Sequence, residues 1–325
     1  MSVKWGVLGT AGIAKGQTIP GMKRANNCEL YAIAGRDESK IKAYVDEFDF
    51  KKSYVGYEAL LEDKEVQAVY IPLPNDLHYE WVLKALKAGK HVLCEKPLAL
   101  STSQVKEMFD TAKANNVYLM EAFAYLHSPY VAALKETIDQ GVIGAVDYIE
   151  TGFVTQGYED GSNIRVIKKA GGGAMYDLGC YCTSMILSLV DGKPVTVKAN
   201  AEFNGDGADI FDSAMIKFDN GVRASFDIGM ILGTSGDSRT DRLYVHGDKG
   251  YIRSGVEYNE EGELEFIVCS DGKETVKRVM ARQNYALEVE QLGRCIEGGE
   301  KPNVSEDFSI KNAMLLDELL KQIGY

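Results

Sequence analysis

The sequence predicts an α/β chain in two parts: an N-terminal doubly wound parallel sheet, then an α+β domain with a large, mainly antiparallel open sheet. Two patterns carry this. In the first third, apolar strand-like runs alternate with amphipathic helices and no hairpin signal intervenes, which implies parallel strands joined by helical crossovers. After about residue 145, strands follow one another across short turns. Length agrees, since 325 residues make about two domains.

Residues 3–8 and 30–34 are buried-strand runs, and Ile41, Tyr44, Val45 and Phe48 recur at helical spacing to complete a βαβ unit. Residues 66–71 read as a third strand, 77–86 as a helix with Leu77, Trp81 and Ala85 in line, and 91–95 as a fourth strand. Val105, Met108, Phe109 and Ala112 mark another helix before a strand at 117–122. Strands are then expected at 145–154, 195–203, 210–218, 222–228, 242–246 and 264–269. Asn204-Gly205, Asp219-Asn220-Gly221, Asp248-Lys249-Gly250 and Asp271-Gly272 supply the turns. Helices are expected at 175–190, 285–297 and 307–323. The division is placed at residue 123, giving domains 1–123 and 124–325.

Composition narrows the function. Carboxylates outnumber Lys plus Arg by 48 to 36, and a net charge of −12 repels phosphate backbones, so nucleic acid is excluded as a partner. No window approaches the run of about 18 apolar residues that a membrane span needs, and the N-terminus leads into a strand without a signal-type apolar stretch. The expected location is the cytoplasm, with no membrane partner. Six cysteines spread over so long a chain form no disulfide framework and are expected as free thiols. With only His78, His91, His127 and His246 beside them, they match no zinc spacing, and no metal is expected.

Gly9-Thr10-Ala11-Gly12-Ile13-Ala14 follows a strand and opens a helix, the context of a dinucleotide-binding turn. The first Gly permits a tight turn, and the helix start offers free N–H groups to a pyrophosphate. Ala11 and Ala14 stand where the full fingerprint has glycine, and the plain alternative is an ordinary strand-to-helix corner. The next strand ends Gly35-Arg36-Asp37. An Arg there can pair with a 2′-phosphate that an acid would repel, which favours NADP over NAD, while Asp37 either faces the ribose or caps the following helix.

Two further segments lie where ligands bind in such sheets, at the carboxyl ends of strands. Pro72-Leu73-Pro74-Asn75 ends the third strand and Glu95-Lys96-Pro97 the fourth, so Lys96 is either a cation over the crevice or a solvated strand-end lysine. Farther on, Gly171-Gly172-Gly173 starts a helix on which Asp177 and Tyr181 are i, i+4 neighbours; Tyr181 is either functional or packed in the core.

Taken together, the Gly9 to Ala14 turn, Tyr70 to Asn75 with His78, Glu95-Lys96-Pro97, Met120-Glu121-Ala122-Phe123 and Gly171 to Tyr181 resemble the glucose-fructose oxidoreductase / inositol dehydrogenase (Gfo/Idh/MocA) family over essentially the whole chain. Tyr at position 181, where inositol dehydrogenases have His, is similar to the branch of D-xylose dehydrogenase and dimeric dihydrodiol dehydrogenase. The resemblance implies a Rossmann domain followed by an α+β domain whose open sheet forms a homodimer or a dimer of dimers. It implies cofactor contacts from Gly9, Thr10, Ala11, Gly12, Ile13, Ala14, Arg36, Leu73, Pro74, Asn75, His78, Glu95 and Lys96. Lys96 and Tyr181 are then the catalytic pair, with Asp177 orienting substrate or the pair. The chemistry is coherent, because a phenol with a pKa near 10 is a poor base until a neighbouring ammonium stabilises its phenolate.

Leu126 stands where close relatives often carry Arg, which removes one expected substrate contact. Phe123, Tyr125, His127, Tyr158 and Arg165 are the remaining candidates for substrate binding; core packing or surface exposure is the alternative for Tyr125, Tyr158 and Arg165, and His127 is either a second acid or base or a hydrogen-bonded structural histidine. The reading is an NAD(P)-dependent oxidoreductase acting on a sugar, polyol or related diol. Alternatives are a trans-dihydrodiol dehydrogenase, favoured if Phe123, Tyr125 and Tyr158 wall the pocket, an enzyme with tightly held nucleotide that oxidises transiently, and a non-catalytic NADP-sensing protein.

Overall fold

Near-complete burial of Val3, Trp5, Val7 and Leu8 marks the first strand as the centre of a sheet covered on both faces. In the computed structural model, which describes residues 2–156, 158, 161–230 and 239–325, this strand, β1 (Val3–Leu8), opens the series. It is followed by α1 (Ile19–Arg24), β2 (Cys28–Gly35), α2 (Glu38–Phe48), β3 (Lys52–Val55), α3 (Glu58–Glu62), β4 (Ala68–Ile71), α4 (Asn75–Lys87), β5 (His91–Glu95), α5 (Thr102–Ala114) and β6 (Leu119–Ala122). All six strands are parallel, in the order β3-β2-β1-β4-β5-β6. The order reverses between β1 and β4, the place where a doubly wound sheet opens a crevice at its strand ends. The strand β3 is absent from the sequence reading because it lies at the sheet edge, mostly exposed and without an apolar run.

Next come α6 (Pro129–Asp139), β7 (Val146–Val154), α7 (Cys180–Leu189), β8 (Pro194–Phe203), β9 (Asp209–Phe218), β10 (Arg223–Gly229), β11 (Thr240–Gly247), β12 (Gly250–Ser254), β13 (Gly262–Ser270) and β14 (Lys273–Ala281). Strands β7 to β14 form one sheet in the order β14-β13-β12-β11-β7-β10-β9-β8. Only the β7–β10 pair is parallel. Alternating burial along β9 and β11 shows one covered and one open face. Helix α6 packs against β14 and α7 against β7.

The chain ends with α8 (Asn284–Gly298) and α9 (Glu306–Ile323). The contacts define two units: Met1–Ser128 with Arg282–Ile310, and Pro129–Ala281 with Lys311–Tyr325. The first unit thus takes in a stretch that the sequence reading assigned to residues 124–325. The reason is local. A Cβ on Gly21 of α1 would lie 2.8 Å from Tyr285 Cβ and 2.9 Å from Ala286 N, so only glycine lets the two helices meet backbone to backbone. Asn26 fastens the contact by donating to the Glu290 carboxylate through its backbone N–H (3.1 Å) and its side chain (2.9 Å).

Replacing Gly21 by Val forces this contact apart, and overpacking of this kind costs about 1–3 kcal/mol. Thermal unfolding is expected to fall by several degrees in Gly21→Val. It should hold in Gly298→Ala, where an added Cβ meets nothing within 4 Å.

Candidate active site

The turn after β1 is built for close approach. Gly9 sits at φ +125°, a conformation L side chains rarely adopt, and its N–H donates to Ala34 O at 2.8 Å. The Tyr44 hydroxyl reaches over from α2 to donate to Ala11 O at 3.0 Å, pinning the turn. A Cβ on Gly12 would meet nothing within 4 Å, so open space lies over a helix start whose first N–H groups have no intrahelical acceptor. At the tip of β2, Asp37 accepts from the backbone N–H groups of Ser39 (2.9 Å) and Lys40 (3.2 Å) as the N-cap of α2. Hydrogen bonds, the Ser39 hydroxyl first, hold it below the usual carboxylate range. The acid at this position is thereby engaged with its own helix, whereas Arg36 beside it is exposed.

The turn that carries Lys96 is gripped from both sides. His78 is fully buried, with its ring nitrogens 2.8 Å from Leu73 O and 2.9 Å from Pro97 O, so it ties the loop after β4 to the loop after β5. Burial pushes its pKa down. Glu121 accepts Leu98 N–H at 2.9 Å and the Ser309 hydroxyl at 2.6 Å; burial raises its pKa to about 7. Lys96 itself is half-buried, as are Pro74 and Asn75, while Leu73 packs within 3.1 Å of where a Gly9 Cβ would stand.

Glu95, one residue earlier, accepts from the Tyr70 hydroxyl at 2.5 Å, and Tyr70 in turn accepts from Thr18 at 2.9 Å. Behind this chain lies Glu288 of α8, fully buried, with neither carboxyl oxygen hydrogen-bonded among the described residues. Burial first, then the charge of Glu95, push its pKa well above the ordinary value. The sequence reading missed Glu288, although a glutamate between Tyr285 and Leu292 on an apolar helix stripe was the available signal.

In the second unit, Gly171 and Gly173 take positive φ, and a Cβ on Gly172 would strike the carbonyl oxygens of residues 164, 165 and 167 at 2.6–2.7 Å. The chain then enters a π-helical stretch, Met175–Gly179, where the sequence predicted an unbroken helix, before α7 begins. Such insertions are frequent at functional sites, and Asp177 and Tyr181 still fall near one face. Asp177 is buried and ion-paired with Arg165 (Nε to Oδ2, 3.2 Å), whose guanidinium also lies 5.7 Å from the Tyr158 ring centroid. Tyr181 is half-buried, with ring centroids 5.6 Å from Phe153 and 5.0 Å from Tyr258. Arg239 caps this aromatic group, 4.1 Å over Phe153 and bidentate to Asp241. Arg165 and Arg239 both lie near enough to Tyr181 to interact with a phenolate formed there. Phe153, Tyr258 and Arg239 escaped the sequence reading because they come from separate strands and loops with no motif of their own.

Three of the residues expected to bind substrate belong to the first unit. Phe123 and Tyr125 are fully buried and stack edge to face at 6.1 Å, with Phe308 6.5 Å from Phe123. His127 Nδ1 lies 3.4 Å from Asn303 Nδ2, and burial followed by the Arg294 charge pushes its pKa to about 3, so it stays neutral at pH 7. Among the described residues no group of three or more His, Cys, Asp or Glu could hold a metal. No described helix is long and apolar enough to cross a membrane.

Residues 3–123 match the model of an oxidoreductase family with an NAD-binding Rossmann fold, GFO_IDH_MocA, and residues 131–253 match a GFO/IDH/MocA C-terminal domain. The chain is 34% identical to D-xylose 1-dehydrogenase (NADP(+)) 2 of Haloferax volcanii over 97% of its own length and 95% of that protein. It is 30% identical to trans-1,2-dihydrobenzene-1,2-diol dehydrogenase of Xenopus laevis over 100% and 99%. A 3-ketoreductase from Actinomadura kijaniata, crystallised with NADP and TDP-benzene, superposes with a TM-score of 0.91 at 28% identity, covering 99% of this chain and 98% of that one. An open cradle over the Gly12 helix start, strand order, and likeness along the full chain agree: this protein belongs to the GFO/IDH/MocA family of oxidoreductases with an NAD-binding Rossmann fold.

Proposed function

We propose that the protein is an NADP-dependent oxidoreductase that interconverts a secondary hydroxyl and a carbonyl on a sugar, polyol or related diol, with Lys96 and Tyr181 in proton transfer. The observation that carries this reading is the setting of Tyr181: a half-buried phenol clustered with two aromatic rings, with two guanidiniums and the Asp177 carboxylate in its own unit. The full-length relatives named above, which act on a sugar and on a cyclic diol, support it.

Gly9, Ala11, Gly12 and Ile13 would hold the pyrophosphate, and Arg36 the 2′-phosphate. When bound, the nicotinamide accepts or returns the hydride. The chain's own residues handle the proton. In the oxidative direction the Tyr181 phenolate takes the substrate hydroxyl proton as the C–H bond gives up its hydride, and the Lys96 ammonium stabilises the phenolate before and after. Asp177, held by Arg165, accepts a neighbouring hydroxyl and fixes the substrate's register. The aromatic faces of Phe153 and Tyr258 suit the C–H face of a sugar ring and equally a cyclohexadiene diol, which keeps the dihydrodiol activity as the second reading.

The six free thiols, five of them buried, suit the cytoplasm. Pairing of two copies through the open face of the second sheet has support in the register, which sets Met215 and Val276 in one row across all six intervening pairings; these residues are 54% and 48% exposed. A Met215→Lys variant is expected to sediment as a smaller species than wild type; unchanged sedimentation of a wild-type dimer rules this face out.

Arg36→Ala should lower the NADP-to-NAD ratio of kcat/KM by about 10- to 100-fold, the worth of a charged hydrogen bond; an unchanged ratio removes Arg36 from the site. With aldoses, polyols and dihydrodiols followed at 340 nm, Lys96→Met and Tyr181→Phe should each lose about 10²–10⁴ in turnover while NADPH still binds by fluorescence titration. Wild-type turnover in both would end the proposed pairing.

A further inference from the structure

Strand β9 opens with two acids three residues apart, Asp209 and Asp212, and both are fully buried. Simple alternation would send them to opposite faces of the sheet. The β8–β9 register slips, however: Glu202 faces Phe211 while the next residue, Phe203, faces Asp209. This bulge turns both carboxyls to one side.

Asp209 Oδ2 accepts Met175 N–H at 2.5 Å, at the start of the helical segment that bears Asp177 and Tyr181. Its Oδ1, and both oxygens of Asp212, have no donor among the described residues. The charged and titratable groups around the pair are Lys168, Tyr176 and Tyr325, with Asp206 and Asp317 facing the tyrosines. The Tyr325 hydroxyl is committed to Gly172 O. Two ionised carboxylates cannot donate to each other, and side by side in a dry site they repel; one shared proton removes the repulsion and gives the orphan oxygens a partner. Asp209 keeps the charge that faces Met175 N–H. Asp212 holds the proton, with its pKa pushed up to about 9 by burial and then by Asp209.

The pair also touches the glycine turn. A Cβ on Gly173 would come within 2.1 Å of Asp209 Oδ1, and Gly173 N–H donates at 2.7 Å to the carbonyl of Arg165, the partner of Asp177. We propose that Asp209 and Asp212 form a one-proton acid pair that fixes the start of the helix carrying Asp177 and Tyr181, which makes them positioning residues for the proton transfer. The inference rests on the reading of Tyr181 given above.

Stability against pH tests the shared proton without reference to activity. Asp212 holds its proton when folded and loses it on unfolding above the ordinary carboxylate value of about 4, so wild-type folding weakens with rising pH until Asp212 ionises near 9. Asp212→Asn cannot titrate, yet its amide can still donate to Asp209. The ratio of folding constants, wild type over Asp212→Asn, is expected to fall about tenfold per pH unit from pH 5 to 8. A flat ratio means that both carboxylates are ionised, for instance around a bound cation, and overturns the proposal. Turnover at pH 7 should survive in Asp212→Asn and drop at least tenfold in Asp212→Ala, which offers no donor, with the NADPH Kd unchanged in both. Full turnover in a folded Asp212→Ala overturns the positioning role, and if that variant does not fold the slope with Asp212→Asn decides. Full turnover in Tyr181→Phe would instead refute the reading of Tyr181 and leave the slope intact.

Discussion

Within the first unit, the candidate site depends on how the turn after β5 is held. Lysine has four rotatable carbons and a strongly hydrated head, so a strand-end lysine is of little chemical use unless the backbone beneath it is fixed. Here the fixing groups are His78, which spans the Leu73 and Pro97 carbonyls, and Glu121, which accepts Leu98 N–H and the Ser309 hydroxyl. Neither is exposed, so each holds its loop from within. Two motif residues that resembled cofactor contacts or plain strand positions are thus the clamp on the residue that follows Glu95.

Buried acids recur behind both halves. Glu95, Glu121 and Glu288 lie in the first unit and Asp209 and Asp212 in the second, each nearly or fully inaccessible. An isolated ionised carboxylate in such a place would cost far more than a domain's margin of stability, so each must be hydrogen-bonded or neutral. Glu95 has Tyr70, Glu121 has an amide and a hydroxyl, and burial pushes the Glu288 pKa well above the ordinary value.

Much of this was legible in the sequence, and the failures have physical reasons. The crossover rhythm of apolar runs and helices revealed the parallel sheet, because strands buried on both faces must be continuously apolar. Strands β3 and β14 were invisible because edge strands are mostly exposed and polar. Helix α6 went unread, and α8 was placed with the wrong neighbours, since a helix's apolar stripe says that it packs but not against what. At the site, Gly9, Arg36, Lys96, Asp177 and Tyr181 stood out because turn chemistry and charge are local properties. Phe153, Tyr258 and Arg239 did not, because a ring beside another ring is a product of strand order.

The return of Arg282–Ile310 to the first unit has a bearing on how the protein comes into being. Gly21 and Tyr285 are far apart in the chain, yet the face of α1 that its glycine bares packs against Tyr285 and Ala286 of α8. During synthesis the parallel sheet must wait, with that face uncovered, until the ribosome has delivered α8. At about 5–20 residues per second the delay from α1 to α8 is on the order of 10–50 s, long enough for a chaperone to matter. The first unit is therefore finished only after the sheet of the second, which lies between its two segments in the chain, has been made.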